Sequence, residues 1–277
     1  MYSGESLPVV GQCVLPCMVN TKKVDVNFVI VDNEGSDAIL GLKSCVEMNL
    51  VQRLGCNEIN LQEFDDVFRG LGCLKDKHHI TIDETVHPVV YSPRRIPHAL
   101  REQVKEQLQS MVKDDIICCV NEPTQWVNAM CVVSKKNGKL RICMDPRDLN
   151  VAIRREHYQI PTAEEIVSRL GDARIMSVLD ASQAFYHIPL DEESSKLCTM
   201  STPFGRYRFK RLPYGIKSAS EVFHRTITNL LENIEGAESF IDDILVWGRD
   251  REEHDNRLRA VLKTLRAANL TLNKAMC

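Results

Sequence analysis

The chain has 277 residues, 44% of them hydrophobic and 26% charged, enough for about two domains of ~150 residues each and incompatible with a wholly disordered, collagen-like or disulfide-stapled chain. A net charge of −3 argues against nucleic-acid binding through bulk positive charge. No stretch approaches the ~18 apolar residues of a membrane-spanning helix, and Met1 to Gln12 lacks the basic start and apolar core of a signal peptide. The expectation is a soluble intracellular protein with no membrane partner, its compartment open between a cytoplasmic particle and the nucleus.

Eleven cysteines run from Cys13 to Cys277, an odd count without the paired spacing of a zinc site; they read as reduced thiols buried as small hydrophobes. Up to Asn60 there are seven acids and four bases, leaving 31 of each in the remainder. Within that neutral remainder the bases cluster. Lys135, Lys136, Lys139 and Arg141 form one group, and Arg206, Arg208, Lys210, Arg211 and Lys217 another, with no acid inside either. Each is a local phosphate-binding patch or a solvated strand edge.

In chain order, Pro8 to Val19 reads as a strand, followed by the alternating run Val24, Val26, Phe28, Ile30 with one face inward. Asn33-Glu34-Gly35 turns the chain, and Ala38 to Gly41 leads into a short helix through Cys45 and Met48. From Leu54 to Arg95 the pattern weakens, predicting a linker with a short helix near Leu61 to Phe68. Leu100, Val104, Leu108 and Met111 then recur at helical spacing. Strands follow at Asn128 to Ser134 and Leu140 to Met144, joined by a Lys136-Asn137-Gly138-Lys139 turn. Thr162 with Glu165, and Ser218 with Glu221, predict capping boxes. A last helix carries Leu258, Val261, Leu262 and Leu265 and ends near Asn269. The irregular alternation, without a βα repeat, predicts an α+β fold.

The most informative stretch is Ser239 to Gly248, where Asp242 and Asp243 stand between apolar strand-like arms. Side chains alternate along a strand, so adjacent carboxylates serve one site only where the chain turns between them. A hairpin tip meets that need, and a divalent cation relieves the repulsion. Taken alone, the pair also reads as a polar turn. A third carboxylate, Asp180, ends the buried strand Arg174 to Leu179. Three carboxylates in one sheet suffice for two metal ions ~3.5–4 Å apart and in-line phosphoryl transfer.

These residues resemble the reverse transcriptases of gypsy-type LTR retrotransposons. The matching stretches are Lys135 to Asp145 with Arg147 and Leu149-Asn150, Leu179 to Asp191, Thr202-Pro203-Phe204-Gly205, Phe209 to Ile216, and the Asp242-Asp243 hairpin. The resemblance implies polymerase fingers and palm over 94–277, the palm sheet packed on helices and the segment cut before thumb and ribonuclease H. Residues 1–54 resemble the C-terminal part of a retropepsin-like protease, a small mostly-β segment without the Asp-Thr-Gly or Asp-Ser-Gly motif, so no peptidase activity is expected. Residues 55–93 are then the linker. Phe240 stands where the family commonly has Tyr, and Tyr214 where Phe is commoner.

By this resemblance Asp180, Asp242 and Asp243 are the catalytic metal-binding carboxylates, with the carbonyl of Ala181 a further ligand to two Mg²⁺ (or Mn²⁺). Arg141 with Lys136, or its neighbour Lys135, would hold the incoming triphosphate. Phe185 would lie under its sugar and exclude a 2′-hydroxyl, and Tyr214 and Gly215 would pack near the templating pair. Lys274 is a candidate to protonate pyrophosphate. The implied partners are an RNA or DNA template with primer, dNTPs and other Pol chains. The implied activity is RNA-directed DNA synthesis, and the alternative is an inactive or domesticated remnant that binds nucleic acid or protein.

Overall fold

The computed structural model describes residues 9–19, 22–31, 41–52, 61–134, 140–155, 157–240 and 242–277. They fall into two units, Met1–Ile59 and Asn60–Cys277.

In the first unit β1 (Val9–Val19) and β2 (Lys22–Val31) pair antiparallel. Val26 on the predicted inward face is buried, whereas Ile30 at the end of that face is 45% exposed. Two strands alone bury little, and Val9, Val14, Met18 and Val29 stay open to solvent. The helix α1 (Leu42–Glu47) follows, capped by the buried Met48. The turn expected at Asn33 to Gly35 and the lead-in Ala38 to Leu40 lie outside the described residues.

The second unit is built on two sheets. α2 (Arg101–Lys113) buries Val104, Leu108 and Met111 of the stripe read from the sequence, whereas Leu100 lies in the 3₁₀ turn before it and is not buried. β3 (Ile117–Val120), β4 (Asn128–Ser134), β5 (Leu140–Asp145), β7 (Thr199–Thr202) and β8 (Gly205–Phe209) form a five-stranded sheet in the order β3-β8-β7-β4-β5. β4 and β7 are parallel and the other neighbours antiparallel. β6 (Ile175–Asp180), β9 (Ala237–Phe240) and β10 (Asp243–Gly248) form a three-stranded antiparallel sheet with β10 central.

Helices complete the unit. α3 (Arg147–Ala152) follows β5, α4 (Ala163–Leu170) precedes β6, and α5 (Glu192–Leu197) precedes β7. α6 (Ala219–Leu231) buries Val222, Phe223, Ile227 and Leu231 and packs on β9. α7 (Arg251–Ala268) buries Leu258, Val261, Leu262 and Leu265 and backs β10 and β6. It starts on Asp250, which accepts from the Glu253 N–H, and stops at Asn269 in the left-handed region with φ 57°.

Three expectations need correction. The stretch from 61 to 93 is no linker, because it belongs to the second unit and buries Phe64, Val67, Leu74 and Ile80. It is laced in by single backbone bridges, His78 to Leu190, Ile82 to Ile153 and Val90 to Val127, which leave no periodic pattern to read. The Thr162–Glu165 capping box is present, but Ser218 caps nothing and Glu221 instead receives the Arg155 guanidinium at 2.9 and 3.0 Å. Of the described cysteines only Cys198 is buried, and Cys119, on the edge strand β3, is exposed.

Candidate active site

The three-stranded sheet places the carboxylates. Along β10 buried and half-open residues alternate, with Ile244 and Val246 facing the core, so Asp243 falls on the opposite, open face. Asp243 is the register partner of Asp180 on β6 and of Phe240 on β9. Directly opposed residues share a face with Cβ atoms ~4.5–5.5 Å apart, which sets Asp180 and Asp243 side by side. β9 ends at Phe240 and β10 begins at Asp243, so Asp242 falls between them, in the turn that the sequence required.

Burial raises the Asp242 carboxyl above the usual range, and the charges of Asp243 and Asp180 raise it further. Asp243 is raised by burial and by Asp180. Asp242 Oδ1 is buried with no hydrogen-bond partner among the described residues, a position that native structures fill with a donor or a cation. Among the described residues no set of three His, Cys, Asp or Glu side chains is drawn together tightly enough to hold a metal as it stands. The orphaned oxygen and the shared face fit divalent cations. Ala181 is fixed behind Asp180, since Asn273 N–H donates to the Asp180 carbonyl at 2.8 Å and Ser182 N–H to Thr271 at 2.9 Å.

Beside the carboxylates lies an aromatic cluster. A 3₁₀ turn, Ala184–His187, follows Gln183 in the left-handed region and buries all four of its residues. Phe185 packs on Tyr214 with centroids 4.8 Å apart and on Phe223 at 6.0 Å. The Arg141 guanidinium stands 5.2 Å over the Tyr214 ring, a cation–π distance. Burial pushes the Tyr214 hydroxyl up to about 12, with Arg141 opposing and Asp242 and Asp180 adding to it. Arg141, Phe185, Tyr214 and the carboxylates are therefore neighbours. Gly215, at φ +103° and with Pro146 and the Met144 carbonyl where a Cβ would sit, needs to be glycine. Lys135 and Lys136 lie outside the described residues.

Other residues prove structural. Asn150, quoted from the sequence only as part of a motif, clamps the Tyr214-Gly215 loop by donating to the Gly215 carbonyl at 2.8 Å and accepting from Lys217 N–H at 2.9 Å. In the second basic cluster Arg208 pairs with Glu192 at 2.7 Å, Lys210 pairs with Asp115, and Arg211 is buried against the carbonyls of Gly72, Tyr186 and Asp115. Only Arg206 and Lys217 of that cluster lack such a partner among the described residues, so it is not a phosphate patch of five cations. Lys274 turns to Asp65 at 3.4 Å and the Phe68 ring.

Residues 133–277 match the model of the reverse transcriptase (RNA-dependent DNA polymerase) family. The chain belongs to that family, and its relatives group it with the reverse transcriptases of LTR retrotransposons. It is 32% identical over 213 residues to the retrovirus-related Pol polyprotein from transposon 412 of Drosophila melanogaster, covering 73% of this chain and 17% of the relative. To the Pol polyprotein from transposon gypsy of the same fly it is 28% identical over 177 residues, covering 62% of this chain and 17% of the relative. The fold resembles foamy viral protease-reverse transcriptase in complex with RNA/DNA hybrid, with a TM-score of 0.70 at 19% identity, over 94% of this chain and 39% of that one. The chain thus spans about a sixth of the length of these curated relatives.

Proposed function

We propose that this chain is the nucleotidyl-transferring part of an RNA-directed DNA polymerase, extending a primer with dNTPs on an RNA or DNA template. The observation that carries the reading is the pairing of Asp180 with Asp243 across β6 and β10, with the buried and unpartnered Asp242 oxygen beside them. Asp180, Asp242, Asp243 and the Ala181 carbonyl would hold two Mg²⁺, or Mn²⁺ in their place, which when bound lower the pKa of the primer hydroxyl and neutralise charge on the triphosphate.

The remaining work falls to the chain. The primer 3′-oxygen attacks the α-phosphorus, the bond to the bridging oxygen breaks, and pyrophosphate leaves. Arg141, exposed on β5 and over the Tyr214 ring, offers a planar fork to the triphosphate; Lys135 or Lys136 adds a point charge. Phe185, braced by Tyr214 and Phe223, forms the wall under the sugar that excludes a 2′-hydroxyl. Tyr214 and Gly215, clamped by Asn150, back the templating pair. Supporting a duplex partner, structural neighbours of the same fold are in complex with RNA/DNA hybrid and with double-stranded DNA. We read residues 1–54 as a partial retropepsin-like segment with no peptidase role, in keeping with its hairpin and short helix, and other Pol chains as partners of the assembly.

The test is Mg²⁺-dependent extension of a DNA primer on an RNA template, beside the Asp242→Asn, Asp243→Asn double variant. Extension lost in the variant is the expected result. A folded chain that binds nucleotide with Mg²⁺ and never extends would refute the reading and leave a nucleic-acid-binding remnant.

A further inference from the structure

Cys131 on β4 and Cys143 on β5 are register partners. Partners across antiparallel strands share a face with Cα atoms ~4.5–5.5 Å apart, inside the ~4.4–6.8 Å a disulfide spans. No other register pair among the described strands joins two cysteines. Both are thiols in the structure and partly exposed. Their face of β5 alternates with the buried Leu140, Ile142 and Met144, and also carries Arg141 and Asp145.

The pair is held from both sides. Arg94 donates through one nitrogen to Cys131 Sγ at 3.2 Å and through another to Asp145 at 2.7 Å, which fixes the guanidinium over the sulfur. Cys143 lies close enough to Tyr186 and Tyr214 to contribute to the raising of both hydroxyls. The dithiol therefore adjoins the aromatic cluster and stands two residues from Arg141.

We propose that Cys131 and Cys143 form a reversible modification site, a cross-strand dithiol that a peroxide oxidises to a disulfide. The Cys131 sulfur attacks one peroxide oxygen, the O–O bond breaks, and hydroxide leaves, taking up the proton shed by the thiol as water. The Cys143 sulfur then attacks the sulfenic sulfur of Cys131; the S–S bond forms as the S–O bond breaks, and the hydroxide leaves with the Cys143 proton as a second water. One peroxide is thus reduced to two waters as two thiols lose two electrons. The bond clamps β4 to β5 next to Arg141 and holds that strand pair in one geometry. Its effect on DNA synthesis rests on the polymerase reading; the chemistry of the site does not.

The test treats the purified full chain with hydrogen peroxide, alkylates the remaining thiols, and digests with trypsin, which cuts between the two cysteines. The expected product joins the peptide holding Cys131 to that holding Cys143, is undone by dithiothreitol, persists in the Cys118→Ser, Cys119→Ser double variant, and disappears in Cys131→Ser and in Cys143→Ser. Both cysteines alkylated in the treated, folded wild-type chain, or a linkage to other cysteines, overturns the site. In primer extension the KM for dNTP should rise on oxidation by up to about 10²-fold, the scale on which ~1 Å of misplacement acts, and only where Cys143 is present. A linkage that forms with KM unchanged overturns the link to Arg141. A linkage in a chain that extends no primer even when reduced overturns the polymerase reading and leaves the dithiol standing.

Discussion

Acidification should loosen the second unit through a single buried histidine. His187 is fully buried, donates from Nδ1 to the Ala184 carbonyl at 3.1 Å, and accepts at Nε2 from the Thr271 N–H at 3.0 Å. The Thr271 hydroxyl that touches Nε2 also accepts from the Gly72 N–H at 3.2 Å. One imidazole thus ties the 3₁₀ turn carrying Phe185 to the 61–74 strap and to the segment after α7. A proton on Nε2 would face the Thr271 N–H that donates to that nitrogen. Burial lowers the group from 6.5 to about 4; its bond to Ala184 opposes the change and the Arg211 charge adds to it.

Between those two values the unfolded chain binds a proton that the folded chain refuses, so stability is full above about 6.5 and falls as pH drops toward 4. The loss over that window is roughly 3 kcal/mol, or about 6–12 °C in melting temperature at ~2–4 °C per kcal/mol for a unit of this size. His224, also lowered by burial, acts in the same direction, while Asp242 and Asp243, raised by burial, act against it. Thermal melts from pH 7 to 4 on the wild type and His187→Gln isolate the term. The variant keeps a donor and an acceptor but cannot titrate, so its melting temperature should depend less on pH. Equal slopes in the two proteins would refute the assignment, whatever the variant's stability at neutral pH.

Gly72→Ala should destabilise by about 1–3 kcal/mol through overpacking, because a Cβ there would lie 2.0 Å from the Asn269 carbonyl; a denaturant titration measures it, and an unchanged midpoint refutes the close approach. Asp242→Asn should raise the melting temperature in chelator at pH 7 while abolishing extension. The carboxylate is raised by burial and its neighbours, so its ionised form weighs on the folded state above that pKa and an amide does not; no rise would show the site to be relaxed without cations. Phe185→Val should cut the preference for dNTP over rNTP by about tenfold or more, equivalent to ~1.4 kcal/mol, read from paired extension assays; an unchanged ratio would return Phe185 to the core.

Where side chains alone decide the structure, the sequence is a good guide. The stripes Val104, Leu108, Met111 and Leu258, Val261, Leu262, Leu265 are buried as their spacing requires. The need for a turn between Asp242 and its neighbour follows from strand alternation and is met by the β9–β10 link. Asp180 was legible because it ends an apolar run, although the run is not buried as expected: Met176 and Val178 are exposed on the open face and only Leu179 is buried. Charge was a poorer guide: a cluster of like-signed residues says nothing of acids brought up from elsewhere, and Glu192 and Asp115 absorb Arg208 and Lys210. Glu221 misled for the same reason, since a distant Arg155 outbids a local serine for its carboxylate.

What stayed hidden is carried by the backbone. Arg211 spends its guanidinium on three main-chain carbonyls, His187 reads one main-chain N–H and one carbonyl, and the 61–93 strap is joined by isolated bridges. Every peptide offers the same donor and acceptor, so composition and periodicity cannot single out the ones that are used. These contacts meet behind the carboxylates: Gly72, Tyr186, His187 and Thr271 surround the turn that begins one residue after Gln183. Two raised carboxylates weigh on the fold at neutral pH, and the main-chain lattice behind them supplies rigidity that side-chain packing on the open face of β6 and β10 does not. A turn that sets raised carboxylates beside one another needs that kind of support, and it is the part of the design that a residue pattern is least able to display.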